Sequence, residues 1–181
     1  TRYQEVTGVQ TCALPILKRG KATDEQITLV TETMASLNKH AAETLEEYNP
    51  NAVTDVTGFG LLGHASEIAR GSGVSLDIDL KIVPVLSGTY ELAEAGVIPG
   101  GSKSNHQWLE NEVYYHDSIS FHEQLVLCDA ITSGGLLVSM PETEAYQYVS
   151  KLKKRNMHAA VIGSVTEKRE KCIYVSKNGA N

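Results

Sequence analysis

Residues 54–64, which read TDVTGFGLLGH, constrain the fold more than any other part of the sequence. One carboxylate, Asp55, and two hydroxyls come before three glycines and the apolar start of a predicted helix. Glycine lets backbone approach backbone, or a ligand, where a side chain would collide. A carboxylate suits a hard cation such as Mg2+, and a helix N-terminus suits an anion. This glycine motif therefore predicts a site for a charged ligand beside a helix N-terminus.

The glycine motif also has the spacing of a dinucleotide-binding fingerprint, G-x-G-x-x-G, over residues 58–63. Asp77 and Asp79 lie about 20 residues further on, where a ribose-binding acid would stand. That fingerprint follows a buried parallel strand, which reads as a nearly continuous apolar run. Here an aspartate and two threonines interrupt residues 51–57. The sequence therefore disfavours a dinucleotide-binding fold.

Composition places the chain among ordinary globular proteins, with 181 residues, 41% hydrophobic and 21% charged. That length suits one domain and a little more. The net charge of -6 gives no electrostatic footprint for nucleic acid. No apolar run approaches the roughly 18 residues that span a bilayer, and no secretory leader is evident. We expect neither a nucleic-acid nor a membrane partner.

The cysteines and histidines give little sign of a metal site. Cys12, Cys128 and Cys172 form no CxxC pair and no zinc spacing, so a reducing cytoplasm is the simplest setting. The pairs at residues 116–117 and 122–123, each a histidine followed by an acid, could serve a metal. Solvated loop or helix-surface positions are the favoured interpretation of both pairs.

Residues 1–16 differ from the sequence that follows, because they show neither a helical nor a strand period. They resemble a translated sequencing adapter at the edge of an assembled fragment. We interpret them as a non-native segment and assign no function to Cys12, which leaves residues 17–181 as the domain. The alternative is a genuine but irregular N-terminal strand and loop.

A capping box, Thr23 with Gln26, predicts the start of the first helix. One apolar face then continues at helical spacing, which predicts a single helix up to Asn49-Pro50. That face consists of Ile27, Val30, Met34, Leu37, Ala41 and Leu45.

The remaining periodicity predicts an α/β or α+β fold, with one mixed sheet and helices packed against it. The strand over residues 74–80 directs Asp77 and Asp79 towards solvent, and turn formers predict a loop over residues 99–105. A polar glycine turn at residues 129–135 leads into a buried strand. Further helices are expected over residues 61–69, 86–95 and 141–155, and closing strands over residues 159–165 and 172–175.

Three segments follow one another along the chain: the glycine motif, the PGG…N loop at residues 99–105, and D…TSGGLL over residues 129–137. Together they closely resemble the C-terminal domain of the selenophosphate synthetase (selenide, water dikinase) family. This family belongs to the aminoimidazole ribonucleotide synthetase superfamily. The resemblance covers about residues 17–176. It implies an α/β layer that closes a nucleotide site, while the N-terminal ATP-binding domain is absent from this sequence.

The resemblance also implies a reaction, in which ATP, selenide and water give selenophosphate, phosphate and AMP. By motif, Asp55 is the metal-binding aspartate of this domain, holding Mg2+ against the phosphates of the substrate ATP. No catalytic or nucleotide-binding residue is carried over, so we expect the fragment alone to be inactive. The small-molecule partners are ATP and selenide, and the full-length enzyme is expected to form a homodimer.

Departures from the superfamily pattern leave alternatives open. Ala130 and Ile131 stand where the superfamily turn has Pro and Gln, and Ser104 stands where a basic residue is common. Asp55 could instead be a helix N-cap. The chain could belong to another superfamily member, such as a purine-pathway synthetase or a hydrogenase-maturation protein. It could also be a stand-alone module that binds a phosphate ligand, since function lies in the site.

Overall fold

The computed structural model describes residues 2–6, 23–131 and 133–177, which form one mixed sheet with helices on both faces. The strands are β1 (Arg2–Val6), β2 (Ala52–Asp55), β3 (Val74–Asp79), β4 (Val113–Tyr115), β5 (Leu136–Pro141), β6 (Ala160–Glu167) and β7 (Ile173–Ser176). The helices are α1 (Asp24–Ala35), α2 (Lys39–Leu45), α3 (Gly60–Ser72), α4 (Thr89–Glu94), α5 (Gly100–Trp108), α6 (Phe121–Leu127) and α7 (Glu142–Lys154).

The strand order is β2-β5-β1-β6-β3-β7-β4, so β2 and β4 are the edges among the described strands. β1 is antiparallel to both β5 and β6, and β2 is antiparallel to β5. β7 is parallel to β3 and β4. The prediction of a mixed sheet is therefore confirmed, and β2, which carries Asp55, lies at one edge.

Alternate residues of β5 divide the core into two layers. Leu137 packs in the same cluster as α3, whereas Leu136 and Val138 pack with α2 and α7 on the opposite face. This alternation follows from the two-residue period of a strand. The hydroxyl of Tyr148 on α7 donates to the carbonyl of Ala41 at 2.9 Å, which ties the helices of the second layer together.

The capping box is confirmed, since the Thr23 hydroxyl accepts from Gln26 N and the Gln26 side chain accepts from Thr23 N. The single long helix is wrong. The backbone of Ser36 is extended, and the chain restarts a helix at residue 39. Leu37 is 73% exposed, whereas Ala41 is fully buried. Packing of α2 against α7 thus overrides the helical period that continues across the break.

The predicted loop over residues 99–105 is also wrong, because α5 begins directly after Pro99, whose backbone is extended. Gly100 and Gly101 supply the first turn despite their low helix propensity, and the buried Ser102 fixes that turn by its contact with Asp129. The expected solvent exposure of Asp77 is only partly met, because its carboxylate pairs with Arg169 and is 13% exposed.

The N-terminal segment contributes a strand, since residues 2–6 form β1 between β5 and β6. A strand here is what the alternative interpretation of residues 1–16, a genuine N-terminal strand and loop, predicts. Residues 7–16, with Cys12, lie outside the described residues. The non-native origin of residues 1–16 stays a prediction.

Candidate functional site

The glycine motif forms a strand, a tight turn and a helix at the edge of the sheet. β2 ends at Asp55, the backbone turns over residues 56–59, and α3 begins at Gly60. β2 is an edge strand antiparallel to β5, which differs from the buried parallel strand that precedes a dinucleotide fingerprint. The sequence prediction against a dinucleotide-binding fold is consistent with this arrangement.

Two glycines allow this turn to pack directly on the glycine turn at residues 129–135. Gly60 has a φ of +70°, and a Cβ there would lie 2.6 Å from the carbonyl oxygen of Asp129. A Cβ on Gly134 would lie 2.7 Å from the carbonyl oxygen of Val56. Neither position can hold a larger residue without moving backbone. The two turns therefore meet backbone against backbone.

Backbone hydrogen bonds join the two turns at three points. Val56 N donates to Gly135 O at 2.9 Å, and Gly134 N donates to Val56 O at 2.9 Å. Ile131 N donates to Thr57 O at 3.1 Å. Ile131, at the position where the resemblance leads us to expect Gln, is itself buried. The turn thus keeps its backbone contacts here, while the site lacks the amide side chain of that Gln.

Asn105 on α5 fixes the other side of the motif. Its side-chain amide donates to Gly58 O at 2.9 Å and to Cys128 O at 3.1 Å. Nearby, the Ser102 hydroxyl donates to the Asp129 carboxylate at 2.5 Å, and both residues are fully buried. α5 therefore connects the motif to the glycine turn. The turn-forming residues of this segment predicted a loop and gave no indication of this role.

Asp55 lies at the end of β2, opposite Leu136, and its side chain is exposed. The N-cap residue of α3 is Phe59, so the alternative interpretation of Asp55 as the N-cap is wrong. The described residues contain no group of three or more His, Cys, Asp or Glu side chains placed to hold a metal. One exposed carboxylate still fits a share of a Mg2+ site, because Mg2+ keeps waters and takes substrate phosphates as ligands.

Backbone donors lie beside Asp55. Within the described part of the chain, the N–H groups of Gly58 and Phe59 form no hydrogen bond. The carbonyl groups of Val56, Thr57 and Gly58, in contrast, each accept at least one hydrogen bond. A turn with its carbonyls bound internally and its N–H groups free presents positive partial charge outward, which suits an anion.

Beneath the turn, His64 is one of the few buried polar side chains, with 7% exposure. Its Nε2 lies 3.1 Å from Thr57 Oγ1. Its Nδ1 lies 3.2 Å from Glu67 Oε2, but without hydrogen-bond geometry. The imidazole therefore connects the first turns of α3 to the side chain of Thr57, in the loop that follows Asp55.

An aromatic surface covers the outer side of the motif. Phe59 is 51% exposed and Trp108 on α5 is 49% exposed, with their ring centroids 5.9 Å apart. The guanidinium of Arg70 lies 5.3 Å from the Trp108 ring centroid, within cation–π range. A Cβ on Gly63 would lie 2.6 Å from Phe59 Cβ, so Gly63 makes room for the Phe59 side chain.

The candidate metal pairs of the sequence do not form a site among the described residues. His116 Nδ1 lies 2.8 Å from Ser118 Oγ, in a local turn contact. Glu123 completes a capping box with Ser120 at the start of α6, and it pairs with Lys177 at 2.9 Å. The pattern Ser-x-x-Glu before an apolar run is the sequence signal that predicts this start of α6.

The two described cysteines are both free thiols in buried positions. Burial raises the pKa of the Cys128 thiol to about 12, although a hydrogen bond with the Tyr115 hydroxyl at 3.5 Å opposes that rise. Burial also raises the pKa of Cys172, and a hydrogen bond with Glu112 adds to the effect. Interpretation of both as small buried apolar residues agrees with these positions.

Comparison with known families gives a clear result. Residues 12–175 match the family described as AIR synthase related protein, C-terminal domain. The chain is 41% identical over 170 residues to selenide, water dikinase 2 of Peptoclostridium acidaminophilum, which covers 93% of this chain and 48% of that protein. It is 43% identical over 155 residues to selenide, water dikinase of Caldanaerobacter subterraneus subsp. tengcongensis, covering 83% and 44%. The chain spans about half the length of these curated relatives.

Solved structures agree on the fold. HypE of E. coli, a hydrogenase maturation protein, superposes with a TM-score of 0.68 at 17% identity, covering 96% of this chain and 46% of that chain. A HypE structure in complex with ATP superposes with a TM-score of 0.60 at 18% identity, covering 98% and 48%. These likenesses confirm the expected aminoimidazole ribonucleotide synthetase-like fold. Within the described residues, no helix has the length and apolar character needed to cross a membrane.

Proposed function

Because this chain belongs to the family of AIR synthase related C-terminal domains, we propose that it is the C-terminal part of a selenide, water dikinase. Such an enzyme uses ATP to phosphorylate selenide and releases selenophosphate, AMP and phosphate. The observation that carries the proposal is 41% identity, over 93% of this chain, to a protein of that name. The two HypE structures with this fold share only 17% and 18% sequence identity with the chain. The much higher identity to selenide, water dikinase 2 favours this activity over another activity on the same fold.

Asp55 is the residue of this chain that we propose to hold Mg2+. Its carboxylate is exposed at the end of β2, on an edge strand whose following turn is fixed by backbone hydrogen bonds. Bound Mg2+ would neutralise charge on the transferring phosphoryl groups. The remaining ligands would come from the ATP phosphates, from water and from the rest of the enzyme.

The turn after Asp55 is proposed to contribute position rather than proton transfer. Asn105 and the glycine turn hold its carbonyl groups, so the free N–H groups of Gly58 and Phe59 keep a fixed direction. Donors fixed in advance of the reaction stabilise developing charge without reorganising. This suits phosphoryl transfer, in which positioning and charge neutralisation supply most of the catalysis.

Three further expectations complete the proposal. Mg2+ is the working metal, the enzyme acts in the cytoplasm, and the full-length protein forms a homodimer. A HypE with this fold is described in complex with ATP, which supports ATP as the nucleotide here. Because this chain spans only about half the length of its curated relatives, we expect it to be inactive on its own.

The experiment tests activity and the metal role together. The complete enzyme is assayed for selenide-dependent formation of AMP and selenophosphate by 31P NMR, at increasing Mg2+. Asp55→Asn should lower turnover by about 100-fold or more at saturating Mg2+, while the unfolding temperature stays unchanged. Asp117→Asn is the matched control, because Asp117 is also exposed but lies far along the chain before α6. Near-normal turnover of Asp55→Asn would refute its metal role, and a wild-type enzyme indifferent to selenide would refute the function.

A further inference from the structure

His64 carries an interaction that the proposed chemistry does not use. The residue is only 7% exposed, although it lies a few residues into α3, directly under the turn that follows Asp55. Burying an imidazole costs free energy unless its nitrogens find partners. Its Nε2 has a partner, the hydroxyl of Thr57 at 3.1 Å, whereas Nδ1 has a nearby carboxylate but no hydrogen bond.

We propose that His64 is a positioning residue for the metal site, which acts by holding the hydroxyl of Thr57 two residues after Asp55. This inference rests on the proposed function, because it assigns His64 to the cation that Asp55 is proposed to bind. A residue that orients the surroundings of a ligand commonly changes metal affinity by about 10- to 100-fold when it is lost.

The surroundings of His64 favour one direction for the hydrogen bond of its neutral imidazole. The Glu67 carboxylate, 3.2 Å from Nδ1, favours the tautomer with the proton on Nδ1. Nε2 is then an acceptor, so the Thr57 hydroxyl donates to it. Thr57 is only partly buried, and a hydroxyl that donates to Nε2 keeps its own lone pairs for a water or a cation.

The connection between His64 and Thr57 depends on the shape of the turn. The two residues are seven apart in the chain, and they meet because Gly60 turns the backbone in the left-handed region and starts α3 under the loop. The Thr57 carbonyl is held separately, by Gly60 N at 2.9 Å and Ile131 N at 3.1 Å. The main chain at Thr57 is therefore fixed without His64, which leaves the side-chain hydroxyl as the part that His64 orients.

The test measures metal binding rather than turnover. Free Mn2+ is titrated by electron paramagnetic resonance against the complete enzyme, in the presence of a nonhydrolysable ATP analogue. His64→Leu removes the acceptor and should weaken Mn2+ binding by about 10-fold. His64→Gln keeps an acceptor near the position of Nε2 and should restore most of the affinity. If His64 had only a structural role, the His64→Leu and His64→Gln variants should bind Mn2+ equally well when their unfolding temperatures are equal.

Thr57→Val supplies the second half of a double-mutant cycle. It should weaken Mn2+ binding as much as His64→Leu does, and the double variant should be no worse than either single one. Because Thr57 is partly exposed and its replacement is isosteric, this variant tests the proposal even where His64→Leu fails to fold. His106→Leu is the matched control, since His106 makes a comparable contact with Gln124 at 2.9 Å away from the motif.

The outcomes separate this inference from the proposed function. Loss of Mn2+ binding in Asp55→Asn, together with wild-type affinity in His64→Leu or Thr57→Val, overturns the role of His64 alone. Equal damage by His64→Gln and His64→Leu also overturns it. Wild-type Mn2+ affinity in Asp55→Asn overturns the metal site itself, and with it both proposals.

Discussion

The side-chain amide of Asn105 donates a hydrogen bond to the backbone carbonyl of Gly58 at 2.9 Å, across 47 residues of sequence. A second bond from the same amide reaches Cys128 O at 3.1 Å. One side chain of α5 therefore holds both the turn after Asp55 and the end of α6. Its position links the edge of the sheet to the helices that pack beside it.

Removal of this amide should loosen the turn. Asn105→Ala leaves the carbonyl of the buried Cys128 without its side-chain donor, and we expect the free energy of unfolding to fall by about 1–2 kcal/mol. Urea denaturation measures that loss, and hydrogen exchange should become faster at Val56 and Gly60, whose N–H groups are hydrogen-bonded in the turn. The control is Gln107→Ala, an exposed neighbour on the same helix, which should leave both measurements near wild type. Equal effects of the two variants would contradict the assigned role of Asn105.

Two glycines of α3 should respond to alanine in opposite directions. Gly60→Ala places a Cβ 2.6 Å from Asp129 O at a φ of +70°, so we expect a loss of roughly 3 kcal/mol. Gly71 has open space around its Cβ position, so Gly71→Ala should raise stability by about 0.5–1 kcal/mol through reduced backbone entropy. Thermal and urea unfolding of the two variants make the comparison. A mild effect at Gly60 would show that the two turns are not in backbone contact.

The ion pair between Glu123 and Lys177 should make stability depend on pH. Burial raises the pKa of Glu123, but hydrogen bonds from Lys177 and from Ser120 outweigh it, so the pKa lies below its usual value. A lowered folded-state pKa gives stability that is present above the unfolded-state pKa and is lost as pH falls through the folded-state value. Glu123→Gln should therefore cost about 1 kcal/mol near neutral pH and almost nothing in strong acid.

Urea unfolding at a series of pH values from neutral to acid checks this dependence. Glu94→Gln, on the exposed side of α4, provides the control and should show no comparable trend. A difference between wild type and Glu123→Gln that stays constant across the acid range would contradict the charge-based explanation.

The buried thiols should be inert in the folded chain. Because the pKa of Cys128 is raised to about 12 and that of Cys172 is also raised, few thiolates exist at pH 8. In a Cys12→Ser variant, we expect the two remaining thiols to react with Ellman's reagent only as the protein unfolds. Release of both thiols in urea gives the reference count. Fast labelling of either thiol without denaturant would contradict the buried placement.

Local signals in the sequence predicted the parts of the fold that neighbouring residues decide. The capping box at Thr23 placed the start of α1, and the alternation over residues 74–80 placed β3. Family resemblance supplied the fold and pointed to Asp55. The break between α1 and α2 was missed, because the helical period continues through Leu37 and only the packing of Ala41 against α7 interrupts it.

The sequence by itself determined that a carboxylate and three glycines stand together at the start of a helix, because these residues are close in the chain. Only the tertiary structure decided what holds them. Gly60 meets Asp129, Gly58 meets Asn105, and Val56 meets Gly134 over separations that no local period encodes. Such contacts arise from the order of strands in the sheet and from the placement of α5, which depend on burial of the whole core rather than on neighbouring residues.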